Sequence, residues 1–185
     1  MTRIINLFSL KGGQGVSTTA VLVAKAFARE GKSVLLVDRE GGDISALLGG
    51  SDPDSGIVKT VTDNIALLVA VAHEIPNYGF DVVITDLGEY LDGAENYIVT
   101  QPCYLSLKRA YLSLKRAVCQ DELIKQCDGV IIVRPADRVL TDRDVTNVLG
   151  IRHIATVEMD ASVARASDAG LLASRGAGLK LPSLV

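Results

Sequence analysis

The sequence predicts a doubly wound α/β fold, and three observations carry that prediction. Short continuous apolar runs recur along the chain, helical stretches separate them, and the residues directly after several of the runs are glycine-rich or acidic. Unbroken apolar runs suit strands buried on both faces, which is the condition of a parallel sheet, and parallel neighbours need crossovers that are usually helical.

The runs are "IINLF" (4 to 8), "VLLV" (34 to 37), "IALLVA" (65 to 70), "VVIT" (82 to 85), "YIVT" (97 to 100), "VIIV" (130 to 133) and "IATV" (154 to 157), so the expected sheet has about seven strands. Between the first two lies "STTAVLVAKAFAREGK". There Val21, Ala24, Phe27 and Ala28 make an apolar helix face, Lys25 and Arg29 fall outside it, and Gly31 supplies the stop. Further helices are expected at roughly 43 to 49, 71 to 78, 104 to 125, 141 to 149 and 161 to 174. With 185 residues and 48% hydrophobic composition, the chain suffices for one such domain, taken as residues 1 to 185.

Composition excludes several classes of function. A formal net charge of −3 gives no global attraction to nucleic acid or anionic lipid, so any such contact needs a local basic patch. Cys103, Cys119 and Cys127 form no C-x-x-C pair, and neither His73 nor His153 stands at metal-ligand spacing from them. The N-terminus does not read as a signal peptide and no apolar run reaches membrane-spanning length, so a cytoplasmic location is expected.

Ligands of a doubly wound sheet gather at the carboxyl ends of the strands. After the first strand comes Lys11-Gly12-Gly13-Gln14-Gly15-Val16-Ser17-Thr18, leading into a helix. Glycines let backbone N–H groups turn inward, and a helix N-terminus adds positive potential, which together make an anion cradle. The same glycines also suit a strand-to-helix turn without ligand. Asp38-Arg39-Glu40 follows the second strand and Asp86-Leu87-Gly88 the fourth, where carboxylates can hold magnesium or orient a water, or serve as caps.

"KGGQGVSTTAVLVAKAFAREGKSVLLVDRE" followed by "FDVVITD" resembles the deviant Walker A, Walker A′ and Walker B motifs of the ParA/MinD family of P-loop ATPases. "TQPCYLSLKRA", "CDGVIIVRPAD" and "ASVARASDAGLL" resemble later parts of the same fold. The resemblance implies a P-loop NTPase-like protein that binds ATP with Mg2+ and works by nucleotide-controlled dimerisation in DNA partitioning or intracellular positioning. It implies that Lys11 reaches a partner subunit's phosphates, that Ser17, Asp38 and Asp86 surround magnesium, and that Thr18 lies near the α-phosphate. It further implies that Glu40 stands where the family positions water, and that Arg134 and Pro135 lie by the base.

Val16 departs from the pattern, because the family places a second lysine there. Losing it removes a charge-assisted contact of about 1.5 to 3 kcal/mol and should hurt phosphoryl transfer at least as much as binding. Hydrolysis is therefore expected to be slow at best. A nucleotide-binding regulator without turnover, and an interaction scaffold that no longer binds nucleotide, remain open readings. Lysine-deficient loops also resemble those of the CpaE/TadZ relatives, but that similarity stops at the loop. The resemblance further implies a homodimer on ATP binding and a partner protein that stimulates hydrolysis or recognises cargo.

Nonspecific DNA contact, with it a nucleoid association, would use Arg165, Arg175 and Lys180. The tail "RGAGLKLPSLV" argues against an amphipathic membrane anchor. "YLSLKRA" occurs twice, at 104 to 110 and 111 to 117. The duplication lengthens a helix while rotating its face only about 20°. Tyr104, Leu107, Tyr111, Leu114 and Val118 then form a stripe facing the sheet. Lys108, Arg109, Lys115 and Arg116 are either solvated charges or a small basic contact surface. "GGDISALLGGSDPDSG" (41 to 56) reads as a short helix and a mobile loop.

Overall fold

The computed structural model describes residues 2–39, 41–50, 54, 56–70, 79–104, 107–108, 126–136 and 138–174. Eight strands form one sheet: β1 (Arg3–Phe8), β2 (Val34–Arg39), β3 (Val58–Thr62), β4 (Ile65–Ala70), β5 (Val82–Asp86), β6 (Glu95–Thr100), β7 (Gly129–Pro135) and β8 (His153–Met159). Their spatial order is β3-β4-β2-β5-β1-β6-β7-β8, and every pairing is parallel except that of β3 with β4. The expected mostly parallel, doubly wound sheet is therefore what the chain forms.

The strand that sequence periodicity overlooked is β3. Its residues, "VKTVT", mix three polar side chains with two valines, none of them fully buried, and it lies antiparallel at a sheet edge with a register irregularity between Thr60 and Thr62. An edge strand half open to water need not be a continuous apolar run.

Strand residues alternate between the two faces of the sheet, as a period of two requires. Ile5, Leu7, Leu36, Ile84 and Val133 pack on one side with helix α1 (Val16–Arg29), the short helix α2 (Ile44–Leu47) and helix α4 (Ala161–Asp168). On the other side Phe8, Ile98, Ile132 and Leu107 meet Val145 and Leu149 of helix α3 (Asp142–Leu149). Thr141 and Asp144 close a capping box on α3, while Asp160 caps α4 by accepting from the amides of Ser162 and Val163. Helix α4 is shorter than expected from the periodicity, since the chain turns at Gly170, whose φ is 64°.

The expected helices at 71 to 78 and over most of 104 to 125 fall outside the described residues, as do Cys119 and His73. Of the duplicated stripe, Leu107 is buried in the second core, whereas Tyr104 is 71% exposed rather than packed on the sheet. No helix among the described residues is long and apolar enough to cross a membrane.

Helix α1 is more enclosed than its sequence suggests. Lys25, expected outside the apolar face, is only 5% exposed, because α2 and the chain after α4 cover that flank of the helix. Its Nζ donates to the carbonyl of Leu172 at 2.5 Å, and the Leu172 amide donates to the carbonyl of Leu47 at 3.1 Å. One peptide segment thus ties α1 to α2. Removal from water, reinforced by the Arg29 charge, holds the Lys25 ammonium down at about 8.

A lowered lysine value means that the unfolded chain keeps its proton to higher pH than the folded chain. Lys25 should then add stability as pH rises from about 8 towards the ordinary 10.5. Lys25→Met should lack this rise. Urea denaturation of both proteins at pH 8 and pH 10 reads it directly, and parallel pH profiles would show that Lys25 is not the responsible group.

Candidate functional site

The carboxyl ends of the strands open into a cleft of about 950 Å³, at the point where the connections leaving the neighbouring strands β1 and β6 run to opposite halves of the sheet. One wall is the loop from Ser9 to Gly15 and the first turn of α1. Asp86 at the end of β5 and Gly88 just after it, with Arg39 and Asp43 around the end of β2, form the floor and near side. Pro135, Met159, Ala164, Ser167 and Asp168 form the far wall.

Backbone geometry makes the loop. Gly13 and Gly15 have φ of 74° and 89°, in the left-handed region that side chains disfavour. A Cβ on Gly15 would also stand 3.3 Å from Val133 Cγ1, so the turn into α1 is restricted by torsion and by space. The loop is stapled to the end of β6: Gln14 Oε1 accepts from the Gln101 amide at 3.1 Å, and Gln101 Nε2 donates to the Gly13 carbonyl at 3.2 Å. Gln14 is 4% exposed, so its side chain holds the loop in place. Lys11, Gly12, Thr18 and Val16 all line the cleft, and Val16 also packs against the first core.

The structure brings Ser17 and Asp86 together. Ser17 Oγ donates to Asp86 Oδ2 at 2.6 Å, putting a hydroxyl and a carboxylate side by side at the start of α1. Asp86 is 7% exposed, and this desolvation raises its carboxyl above the ordinary range against the opposing pull of Ser17 and Arg39.

Asp38 is placed differently from Asp86. It does not line the cleft. Its carboxylate, 2% exposed, accepts from the amides of Arg39 and Ile44, each at 2.9 Å, and so folds the chain after β2 back over the strand end. Burial pushes it up to about 6. Arg134 differs too: its guanidinium is held by Asp142 and by Glu158, the latter at 2.8 Å, which leaves Pro135 alone of that pair on the cleft. Glu40 lies outside the described residues.

Sequence reasoning passed over a buried polar lock under the site. Thr85 Oγ1 donates to Asn6 Oδ1, and Asn6 Nδ2 donates to Asn96 Oδ1, each at 2.7 Å. Asn6 and Asn96 then hold the carbonyls of Glu89, Leu91 and Ala94, each at 2.8 Å, which fastens the loop beyond Asp86. The available signal was polar residues inside the runs "IINLF" and "VVIT" and directly before "YIVT", since a buried polar side chain must find partners. Arg39 and Asp43 were also passed over as cleft residues, although Arg39 stood inside a strand-end cluster.

The arrangement suits a magnesium–nucleotide complex. Ser17 and Asp86 supply two hard oxygen donors, and the described residues hold no group of three or more histidines, cysteines and carboxylates that could cage a metal. Magnesium is commonly held in this way, by one or two protein oxygens plus phosphates and water. Ser167 stands at the far wall, and its buried Oγ has no hydrogen-bond partner among the described residues.

A glycine-loop cleft of this kind on a mostly parallel sheet defines a P-loop NTPase-like fold. No protein-family model and no curated protein sequence matches the chain. Solved structures do. The septum site-determining protein MinD of Pyrococcus horikoshii OT3, complexed with Mg-ADP, superposes with a TM-score of 0.73 at 18% identity over 92% of this chain and 87% of that one. A ParA family ATPase from Chlorobium tepidum TLS gives 0.68 at 22% identity over 93% and 90%. A chain of the MinC:MinD cell division protein complex of Aquifex aeolicus gives 0.69 at 20% identity over 91% and 86%. The chain therefore has the fold of the ParA and MinD ATPases.

A Cβ on Gly42 would stand 2.0 Å from Asp38 Oδ1, so the turn after β2 closes only over a bare Cα. Gly42→Ala should cost about 1–3 kcal/mol of unfolding free energy. Asp38→Ala removes the obstructing carboxylate, and the double variant should lose less than the two single losses added together. Strict additivity in chemical denaturation would contradict the contact.

Proposed function

We propose that this protein binds ATP with Mg2+ in the strand-end cleft and acts as a ParA/MinD-like switch, in which the bound nucleotide controls self-association during intracellular positioning or DNA partitioning. The observation that carries the reading is the convergence, on one cleft, of the glycine turn into α1 and the Ser17–Asp86 pair. The loop amides and the α1 N-terminus bind phosphate, Ser17 and Asp86 hold magnesium, and the far wall at Pro135 and Ser167 takes the base. Magnesium neutralises phosphate charge beside a carboxylate that would otherwise repel it.

The structural neighbours support this reading, since they include a MinD complexed with Mg-ADP and a MinC:MinD complex. In a homodimer Lys11 would reach the second subunit's phosphates. A partner protein would then read the dimer and connect it to cargo. Nonspecific DNA contact would involve Arg165, with Arg175 and Lys180 outside the described residues. Asp38 serves this site through the turn it holds and not as a metal ligand.

Val16 favours a second reading, a nucleotide-binding regulator with little or no turnover. An apolar side chain packed on the core contributes no charge to the transferring phosphate. Any hydrolysis would then be slow and would depend on the Glu40 region to orient water.

Saturating MgATP should raise the melting temperature by about 5 °C or more, as ligand at a hundred times its dissociation constant adds about 2.7 kcal/mol. Chelating the metal, or Asp86→Asn, should remove most of that shift. Analytical ultracentrifugation should show dimer with MgATP and monomer without it, and Lys11→Ala should stay monomeric. The absence of any thermal shift at millimolar MgATP would sink the nucleotide reading.

A further inference from the structure

We propose that Arg39 supplies, within the same subunit, the positive charge at the terminal phosphates that the glycine loop lacks at Val16. The inference rests on the nucleotide reading of the cleft and assigns a residue to it.

Charge balance in the cleft motivates the search. Among its described lining residues, Lys11 and Arg39 are cationic, whereas Asp43, Asp86 and Asp168 are acidic. A polyphosphate entering this surroundings meets more negative than positive side chains, and Val16 adds nothing. A second cation reaching the phosphates would make up part of the deficit.

Position supports Arg39 in that role. In the parallel pairing of β2 with β5, Asp38 stands opposite Asp86, so Arg39 is one step further towards the cleft. Its side chain crosses the end of β5, where a Cβ on Gly88 would stand 3.5 Å from Arg39 Nη1. Gly88, with φ of 85°, keeps that space clear. The guanidinium therefore lies beside Asp86, the carboxylate bonded to Ser17 at the first turn of α1, and its charge is felt there.

Arg39 is also uncommitted. Its guanidinium makes no hydrogen bond or ion pair among the described residues, and the bonds that hold the residue are made by its backbone, to Asp38 Oδ1, to Gly42 and in the strand pairing with β4. By contrast Arg134 is held by Asp142 and Glu158, and Arg3 by Glu95. A planar guanidinium with five donors is suited to two-point contact with a phosphate.

The test is isothermal calorimetry of MgATP, MgADP and AMP with the wild type, Arg39→Gln, Arg39→Lys and the double variant Val16→Lys/Arg39→Gln. Dilute protein keeps self-association from contributing. Arg39→Gln should weaken MgATP by about ten- to a hundredfold and leave AMP unchanged. Arg39→Lys should lose less. A lysine at position 16 should restore part of the affinity, because it returns charge to the same phosphates from the other side.

An unchanged melting temperature for Arg39→Gln is expected, since the side chain holds no structural bond. Wild-type affinity in Arg39→Gln would overturn the assignment and leave the nucleotide reading standing. Equal weakening of AMP and MgATP would overturn it as well, by showing general damage to the cleft. A wild type that binds no nucleotide would remove both the assignment and the reading on which it rests.

Discussion

The cleft depends on one turn, where the chain leaves β1 and enters α1 at Gly15. Its φ of 89° and a Cβ contact of 3.3 Å to Val133 disfavour any side chain there, and from that turn the direction of α1 follows. With α1 so aimed, Ser17 reaches Asp86 across the end of β5. Gln14 and Gln101 then fix the loop to β6 on the opposite side. A turn restricted by both torsion and contact is rigid, and a rigid turn is what pre-organised backbone donors require.

Around that turn, polar groups are buried where they align the strand ends. Asn6, Thr85 and Asn96 bridge β1, β5 and β6 at the level where the floor of the cleft begins, and they draw the following loop inward. Asp38 does the same for the chain after β2, paying for its burial with two backbone hydrogen bonds. These side chains contribute to function by placing others. Each is also costly to bury unpaired, so the strand ends are held in one arrangement.

The back of α1 shows how distant parts are joined. Lys25 and the Leu172 peptide connect α1 to the end of α2, and Gly49 and Gly170 let the two backbones approach, since a Cβ on Gly49 would stand 2.4 Å from the Gly170 carbonyl oxygen. Asp43, Ala46 and Leu47 around α2, and Ser167 and Asp168 of α4, belong to opposite sides of the cleft and meet through this junction. The two sides are therefore mechanically coupled without a ligand between them.

What the sequence determined by itself was everything written in local pattern. Continuous apolar runs marked the parallel strands, glycines at 12, 13 and 15 marked the turn, and an acidic residue after β5 marked the partner of Ser17. Such features depend on neighbours along the chain, where periodicity and torsional preference act. Tertiary structure alone decided which way individual polar side chains point. Asp38 and Asp86 are equivalent as strand-end carboxylates in sequence, yet one closes a turn and the other faces the cleft. Lys25 looks like a surface lysine until the chain after α4 covers it, and Arg134 and Arg39 are separated in role only by the carboxylates that reach the first and not the second. Those outcomes come from contacts between residues far apart in the chain, which no local pattern encodes. The half-polar β3 belongs with them, because its place at the sheet edge exists only once β4 is there to pair with it.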